Sequence, residues 1–247
     1  MSPGSTERDG YKRKAAERAV ALVEPGMVVG LGHGTTAILA LELLAERLQS
    51  GTLRDVSGVP CSLFVEREAV RQGIPLAPFE ARPVLDLTID GADEIGPDLA
   101  LIKGGGGALL REKIVAQASR RVAIVADDSK LSPALGTRRP VPVEVVAFGC
   151  ASQVRYLESL GARVVPRQAD ERTLFVTDQG NLILDCHFGP IPEPEPLAEK
   201  LASRAGIVAH GLFLGLATDV LVAGPEGVRR LAPGPGEGLA GRTTRSP

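Results

Sequence analysis

Residues 103–113, KGGGGALLREK, set a lysine before four consecutive glycines and a glutamate in the helix that follows. Glycine loses more backbone entropy on folding than any other residue, so a run of four marks a place where bare backbone is required. With a helix starting near Ala108, Glu112 falls in its second turn, and because helical side chains tilt toward the N-terminus it leans back toward the glycines. A carboxylate beside bare amides could take a proton from a carbon next to a carbonyl, and the amides of Gly104, Gly105 and Gly106 could stabilise the oxyanion that forms. Lys103 would add positive charge. Without the glycines, a surface glutamate paired with a neighbouring base would be the better reading.

Three other segments carry polar chemistry. GLGHGTT, residues 30–36, ends an apolar run and opens a helix, and a helix N-terminus presents free N–H groups to an anion. Gly34 frees the backbone there, while Thr35 and Thr36 could donate hydroxyls or cap the helix. A dinucleotide loop fits poorly, because Thr35 stands where the third glycine is needed and no acidic residue clearly ends the next strand. No G-K-[ST] follows, which excludes a Walker A loop. A single phosphate group fits best, a plain tight turn being the alternative, and Lys12 on the preceding helix could assist as a point charge. IDGADE, residues 89–94, offers Asp90, Asp93 and Glu94. A solvated turn, a divalent cation site, and acid–base work or hydrogen bonding to sugar hydroxyls all remain open, although the EF-hand spacing is absent and no histidine joins the acids. ADDSK, residues 126–130, ends on Lys130.

These segments need elements to bring them together. Apolar runs alternate with helix-like stretches from KRKAAERAVALV to RVAIVAD, which implies parallel β-α-β units in a doubly wound sheet. In such a sheet, ligands bind beyond the carboxyl ends of the strands. All four segments follow strands, LALIKGGGG included, so they converge on one cleft if those strands are neighbours. Leu110, Ile114 and Ala118 repeat at an interval that predicts the core-facing side of the helix after the glycines. The pattern changes near Pro140: VPVEVVAFG, ARVVPRQ and a hairpin with a DQGN turn predict an α+β subdomain at about 138–216, inserted before a last strand and turn in DVLVAGPEGV. The first ten residues and the Gly/Pro-rich tail, residues 234–247, read as mobile ends.

The 247 residues are 44% hydrophobic and 23% charged, with a net charge of −2, an ordinary globular composition. No basic excess points to nucleic acid, and no basic amphipathic stretch points to a membrane surface. Cys61, Cys150 and Cys186 are far apart with no C-x-x-C spacing, which argues against a disulfide framework and a zinc site and for buried thiols in a reducing compartment. The N-terminus shows no apolar signal region, and no apolar run approaches the ~20 residues of a membrane span. A cytosolic, cytoplasmic protein is expected.

GLGHGTTA, IDGADE, LIKGGGGALLREKI, ADDSK and VPVEV, in this order, resemble the type A ribose-5-phosphate isomerases from about Lys12 to about Arg230. The resemblance implies interconversion of D-ribose 5-phosphate and D-ribulose 5-phosphate through a metal-free enediolate, with no cofactor, in the non-oxidative pentose phosphate pathway. It implies Glu112 as the base, Asp90 as the acid that helps open the sugar ring, Asp93 as a substrate-orienting carboxylate and Lys103 as the stabiliser of the intermediate. Gly34, Thr35 and Thr36 match the phosphate loop, with Lys12 and Lys130 in support. The fold implied is α/β: a Rossmann-like, mostly parallel sheet with helices on both faces (1–137 and 217–233) and an inserted α+β lid or oligomerisation subdomain (138–216), in a homodimer or homotetramer. Two departures stand out. His33 replaces the usual threonine of the phosphate loop, as a bland loop residue or as one that touches phosphate and makes binding pH-sensitive near its ordinary pKa of about 6.5. Leu110 replaces a frequent threonine. The alternatives are a non-catalytic sugar-phosphate-sensing domain, against which all the proposed catalytic side chains are present, and a nicotinamide-dependent oxidoreductase, against which the fingerprint is imperfect.

Overall fold

Short apolar runs closed by glycine or proline form the centre of the molecule. The computed structural model describes residues 5–232. Its first half contains α1 (Ser5–Val20), β1 (Val28–Leu31), α2 (Thr35–Gln49), β2 (Ser57–Pro60), α3 (Leu63–Arg71), β3 (Leu85–Gly91), β4 (Glu94–Ile95), β5 (Leu101–Ile102), α4 (Leu109–Gln117) and β6 (Ser119–Asp127). Then come β7 (Val141–Val145), α5 (Cys150–Ser159), β8 (Arg163–Pro166), β9 (Leu182–His187), α6 (Pro194–Ala202), β10 (Ile207–His210), β11 (Leu212–Phe213), β12 (Asp219–Gly224) and β13 (Gly227–Leu231).

The main sheet has the order β13-β12-β6-β3-β1-β2 and is parallel except for β13. Its parallel strands are mostly buried on both faces, as a covered parallel sheet requires, while the antiparallel edge β13 is not. Alternation along β6 and β12 divides two cores. Ala123, Val125, Leu221 and Ala223 join the α1–α2 side with Ala15, Ala19, Leu41 and Leu44. Val122, Ile124, Val220 and Val222 face the other way, with Ile95, Leu101, Ala116 and Phe213. An antiparallel four-stranded sheet, β10-β7-β9-β8, has a core of its own, in which Val141, Val143, Val145 and Leu184 meet Leu157 and Leu201. The α/β class and the mostly parallel sheet are as expected.

Five details differ from the sequence reading. Helix α1 begins at Ser5, so most of the first ten residues are helical; buried Tyr11 ties this turn down by donating to Glu7 Oε1 at 2.6 Å. The tail, 234–247, lies outside the described residues. The LALI strand, β5, is not in the main sheet but sits between β4 and β11 in a small antiparallel sheet. A parallel strand would need a crossover of about a dozen residues, whereas only Gly96–Ala100, containing the 3₁₀ turn Pro97–Leu99, joins β4 to β5. The arm before DQGN makes only isolated bridges, Gln168 with Leu174 and Val176 with Leu182. After β12 a tight turn adds β13 as an antiparallel edge.

The fifth difference concerns α4. Leu109, Glu112, Val115 and Ala116 are its buried residues, whereas Ile114 is 43% exposed and Leu110 and Ala118 only half-buried. The helix starts at Leu109, which puts Glu112 in its first turn. The face bearing the glutamate is turned inward, and apolar periodicity cannot register a buried acid.

Candidate active site

Glu112 sits where α4 meets the glycine loop, its amide bonded to the Ala108 carbonyl at 2.9 Å. Its carboxyl is almost wholly buried; Oε1 accepts from Lys103 Nζ at 3.0 Å, while buried Oε2 has no hydrogen-bond partner among the described residues. Burial favours the protonated acid, and although Lys103 opposes this, the net result is a carboxyl held well above the ordinary glutamate range. An unsatisfied buried acceptor costs about 1–3 kcal/mol. The fold tolerates that cost in a residue that lines a cleft.

Lys103 leaves β5 and is also buried. Its ammonium donates to the Gly91 carbonyl at 2.7 Å and to Glu112, and pairs with Asp90 Oδ2 at 3.0 Å. Burial alone would favour the neutral amine, but Asp90, Glu112 and Asp93 outweigh it and hold the lysine above its ordinary range. Asp90 Oδ1 in turn accepts from the amides of His33 (3.0 Å) and Gly91 (2.7 Å), which locks the carboxylate behind the lysine.

The other two acids of IDGADE take separate tasks. Asp93 Oδ2 accepts from the Gly105 amide at 2.7 Å. A β-carbon on Gly105 would lie 2.7 Å from Asp93 Oδ1, and Gly104 has φ +102°, so neither position accepts a side chain without strain. Glu94 turns away from the cleft, fully buried, and accepts from the amides of Gly136, Arg138 and Arg139, each at 3.1 Å. It is an anchor for the 136–139 loop rather than part of the site.

At the far end of the cleft, Gly34 precedes α2 and no side chain caps the helix. Its N-terminal amides, with Thr35 and Thr36, face the same cleft as Lys130, Asp93, Lys103, Gly104, Gly105, Gly106 and Glu112. His33 also lines it, Nδ1 being 3.0 Å from Ser62 Oγ and the ring edge-on to Phe64; burial lowers its pKa. Lys12 does not line the cleft; it pairs with Asp9 at 3.0 Å on α1. Two roomier grooves, of about 440 and 620 Å³, have no buried carboxylate in their walls. The narrower cleft thus has the α2 N-terminus and Lys130 among its walls together with the buried Lys103–Glu112 pair.

Donor atoms of Cys61, Asp90 and Glu112 lie within 4.8 Å of one another, close enough to share a metal ion. The Lys103 ammonium already pairs with both carboxylates of that group, and burial raises the Cys61 thiol well above its ordinary range. The donor set therefore fits an internal cation better than a metal.

The family model for ribose 5-phosphate isomerase A (phosphoriboisomerase A) matches residues 57–227. Ribose-5-phosphate isomerase A of Chloroflexus aurantiacus is 58% identical, over 94% of this chain and 96% of its own length. The chain belongs to the ribose 5-phosphate isomerase A family. The enzyme of that name from Desulfatibacillum aliphaticivorans is 51% identical, over 92% of this chain and 98% of its own. Among solved structures of the family, that of Methanocaldococcus jannaschii superposes with TM-score 0.86 at 36% identity, covering 91% of this chain and 99% of the other. A D-ribose-5-phosphate isomerase in complex with phospho-erythronic acid superposes with TM-score 0.88 at 34% identity, covering 91% of this chain and 98% of the other.

Two groups of this ribose 5-phosphate isomerase A site carry no motif signal. The Gly91 carbonyl takes one of the three Lys103 protons, and a backbone acceptor is silent in sequence. Arg167, just beyond β8, reaches the glycine loop from the second sheet. Only the folded chain makes them neighbours.

Proposed function

We propose that this isomerase interconverts D-ribose 5-phosphate and D-ribulose 5-phosphate, with Glu112 moving a proton between C1 and C2. The observation that carries this reading is the partnerless, buried Glu112 Oε2 at the wall of the cleft. The phosphate binds at the α2 N-terminus with Gly34, Thr35, Thr36 and Lys130, where amide dipoles and an ammonium favour an anion. Asp90 assists ring opening, and Asp93 orients the open chain while holding the glycine loop.

Glu112 then takes the proton from C2. The C–H electron pair becomes the C1–C2 double bond, and the aldehyde oxygen gains negative charge. Lys103 and the free amides of the glycine loop stabilise that enediolate. The acid returns its proton to C1, while the C2 hydroxyl proton passes to the oxygen on C1, so that C1 ends as the alcohol and C2 as the ketone. Lys103 supplies positive charge at the reacting oxygens, which supports a route without metal or cofactor. Lys12, paired with Asp9 on α1, is given no role in this proposal.

In the same reading the enzyme is cytoplasmic and a homodimer or homotetramer, with residues 138–216 as its lid or oligomerisation subdomain; the family resemblance supports this, and sedimentation gives the oligomer size. The activity test is turnover of ribose 5-phosphate by chelator-treated protein. Glu112→Gln should lose about 10²–10⁴ in turnover, roughly 3–5.5 kcal/mol of barrier, while still binding substrate. Near wild-type turnover in that variant would refute the assignment of the base.

A further inference from the structure

The glycine loop is held from two sides. Arg167 Nη1 donates to the carbonyls of Gly104 at 2.8 Å and Gly105 at 3.1 Å. The rest of its guanidinium is spent on Asp185 of β9: Nε donates to Oδ2 at 2.9 Å and Nη2 to Oδ1. Such a bidentate fork fixes the plane of the group as well as its position. The ring of Phe175, whose amide donates to the Arg167 carbonyl at 2.9 Å, has its centroid 6.0 Å from the guanidinium carbon.

A trans peptide unit points its C=O and its N–H in opposite directions. The unit joining Gly104 to Gly105 shows this directly, with its oxygen on Arg167 and its N–H on Asp93. The next unit has its oxygen on the same guanidinium nitrogen, so the Gly106 N–H is turned away from Arg167 as well. Among the described residues that amide has no hydrogen-bond partner, and Gly106 lines the cleft. The Gly107 amide closes the turn on the Gly104 carbonyl at 3.0 Å, but glycine leaves the peptide between Gly105 and Gly106 free to flip, and the Arg167 contact with the Gly105 carbonyl holds it in one orientation.

We propose that Arg167, anchored by Asp185, is a positioning residue for the isomerisation: it holds the Gly106 amide as a preorganised donor to the substrate oxygen that becomes negative. This rests on the isomerase reading above and adds to it a residue outside every motif. A lysine cannot do the same work, since one ammonium cannot span the Asp185 fork and two carbonyls in a fixed plane. The donor matters chiefly when charge develops, so its loss belongs in kcat rather than in ground-state binding.

The test compares wild type, Arg167→Lys and Arg167→Met by steady-state kinetics with ribose 5-phosphate, with inorganic phosphate as a competitive inhibitor. The expected result is a loss of kcat of about 100-fold in Arg167→Met, a smaller loss in Arg167→Lys, and an inhibition constant for phosphate within about twofold of wild type. Folded Arg167→Met with wild-type kcat, or with kcat and phosphate affinity lost in parallel, overturns the proposal. If Arg167→Met does not fold, Asp185→Asn is judged by the same criterion. Inactive wild-type protein would instead refute the isomerase reading; active wild type with indifferent Arg167 and Asp185 variants refutes only the positioning role.

Discussion

At Glu112, burial and one ammonium pull in opposite directions, and burial prevails. The base must be ionised to accept a proton, so kcat/KM should rise with pH through a midpoint above the ordinary glutamate value of about 4.3; a pH–rate profile whose acid limb lies at or below that value would contradict the burial argument. The same shift bears on stability. A carboxyl whose pKa is higher folded than unfolded stabilises most below the unfolded value, and that contribution falls as pH rises toward the folded one. Glu112→Gln should therefore raise Tm at neutral pH despite its loss of turnover, and the gain should vanish in acid, as calorimetry at two pH values would show. His33 is the opposite case. Burial keeps it neutral above its ordinary range, so inhibition by phosphate should have the same pH dependence between about pH 6.5 and 8 in wild type and His33→Asn. A sequence can show that a histidine occupies the loop before α2 but not that it meets Phe64 and Ser62 there.

Among the elements, the glycine loop and the turn after β4 separate function from support. Gly105→Val sets a side chain against Asp93, whose Oδ1 would lie 2.7 Å from the new β-carbon. It should lower kcat by about 100-fold and leave phosphate affinity nearly intact, because the α2 end of the cleft is untouched; equal loss of both would return the loop to phosphate binding. Glu94→Ala should instead cost about 3 kcal/mol in urea denaturation by orphaning the amides of Gly136, Arg138 and Arg139. Motif spacing alone could not distinguish Glu94 from Asp93, since adjacent acids differ only in which way their side chains turn where β4 begins. The inward side of α4 was hidden for a related reason: apolar Leu110 and Ile114 marked the wrong face once an acid had to be buried.

Across the whole molecule, the parallel sheet and the cleft at its carboxyl edge were legible because strand–helix alternation is a local signal. The position of β5 was not, since it depends on pairing with β11, more than a hundred residues later in the chain. Arg167 was hidden for the same reason: its contacts with Gly104 and Gly105 join segments 63 and 62 residues apart. Among the described residues, no helix is long and apolar enough to cross a membrane.

The three engagements of the Lys103 ammonium have a consequence for the reaction itself. It donates to Gly91 and Glu112 and pairs with the Asp90 carboxylate, so an oxyanion arriving in the proposed reaction competes with contacts the ammonium already makes. The Glu112 contact is the natural one to yield, because that carboxylate becomes neutral as the substrate oxygen becomes negative. In the proposed reaction one unit of charge thus migrates a few bonds between buried groups, none is created there, and the lysine transfers its grip from the enzyme to the sugar.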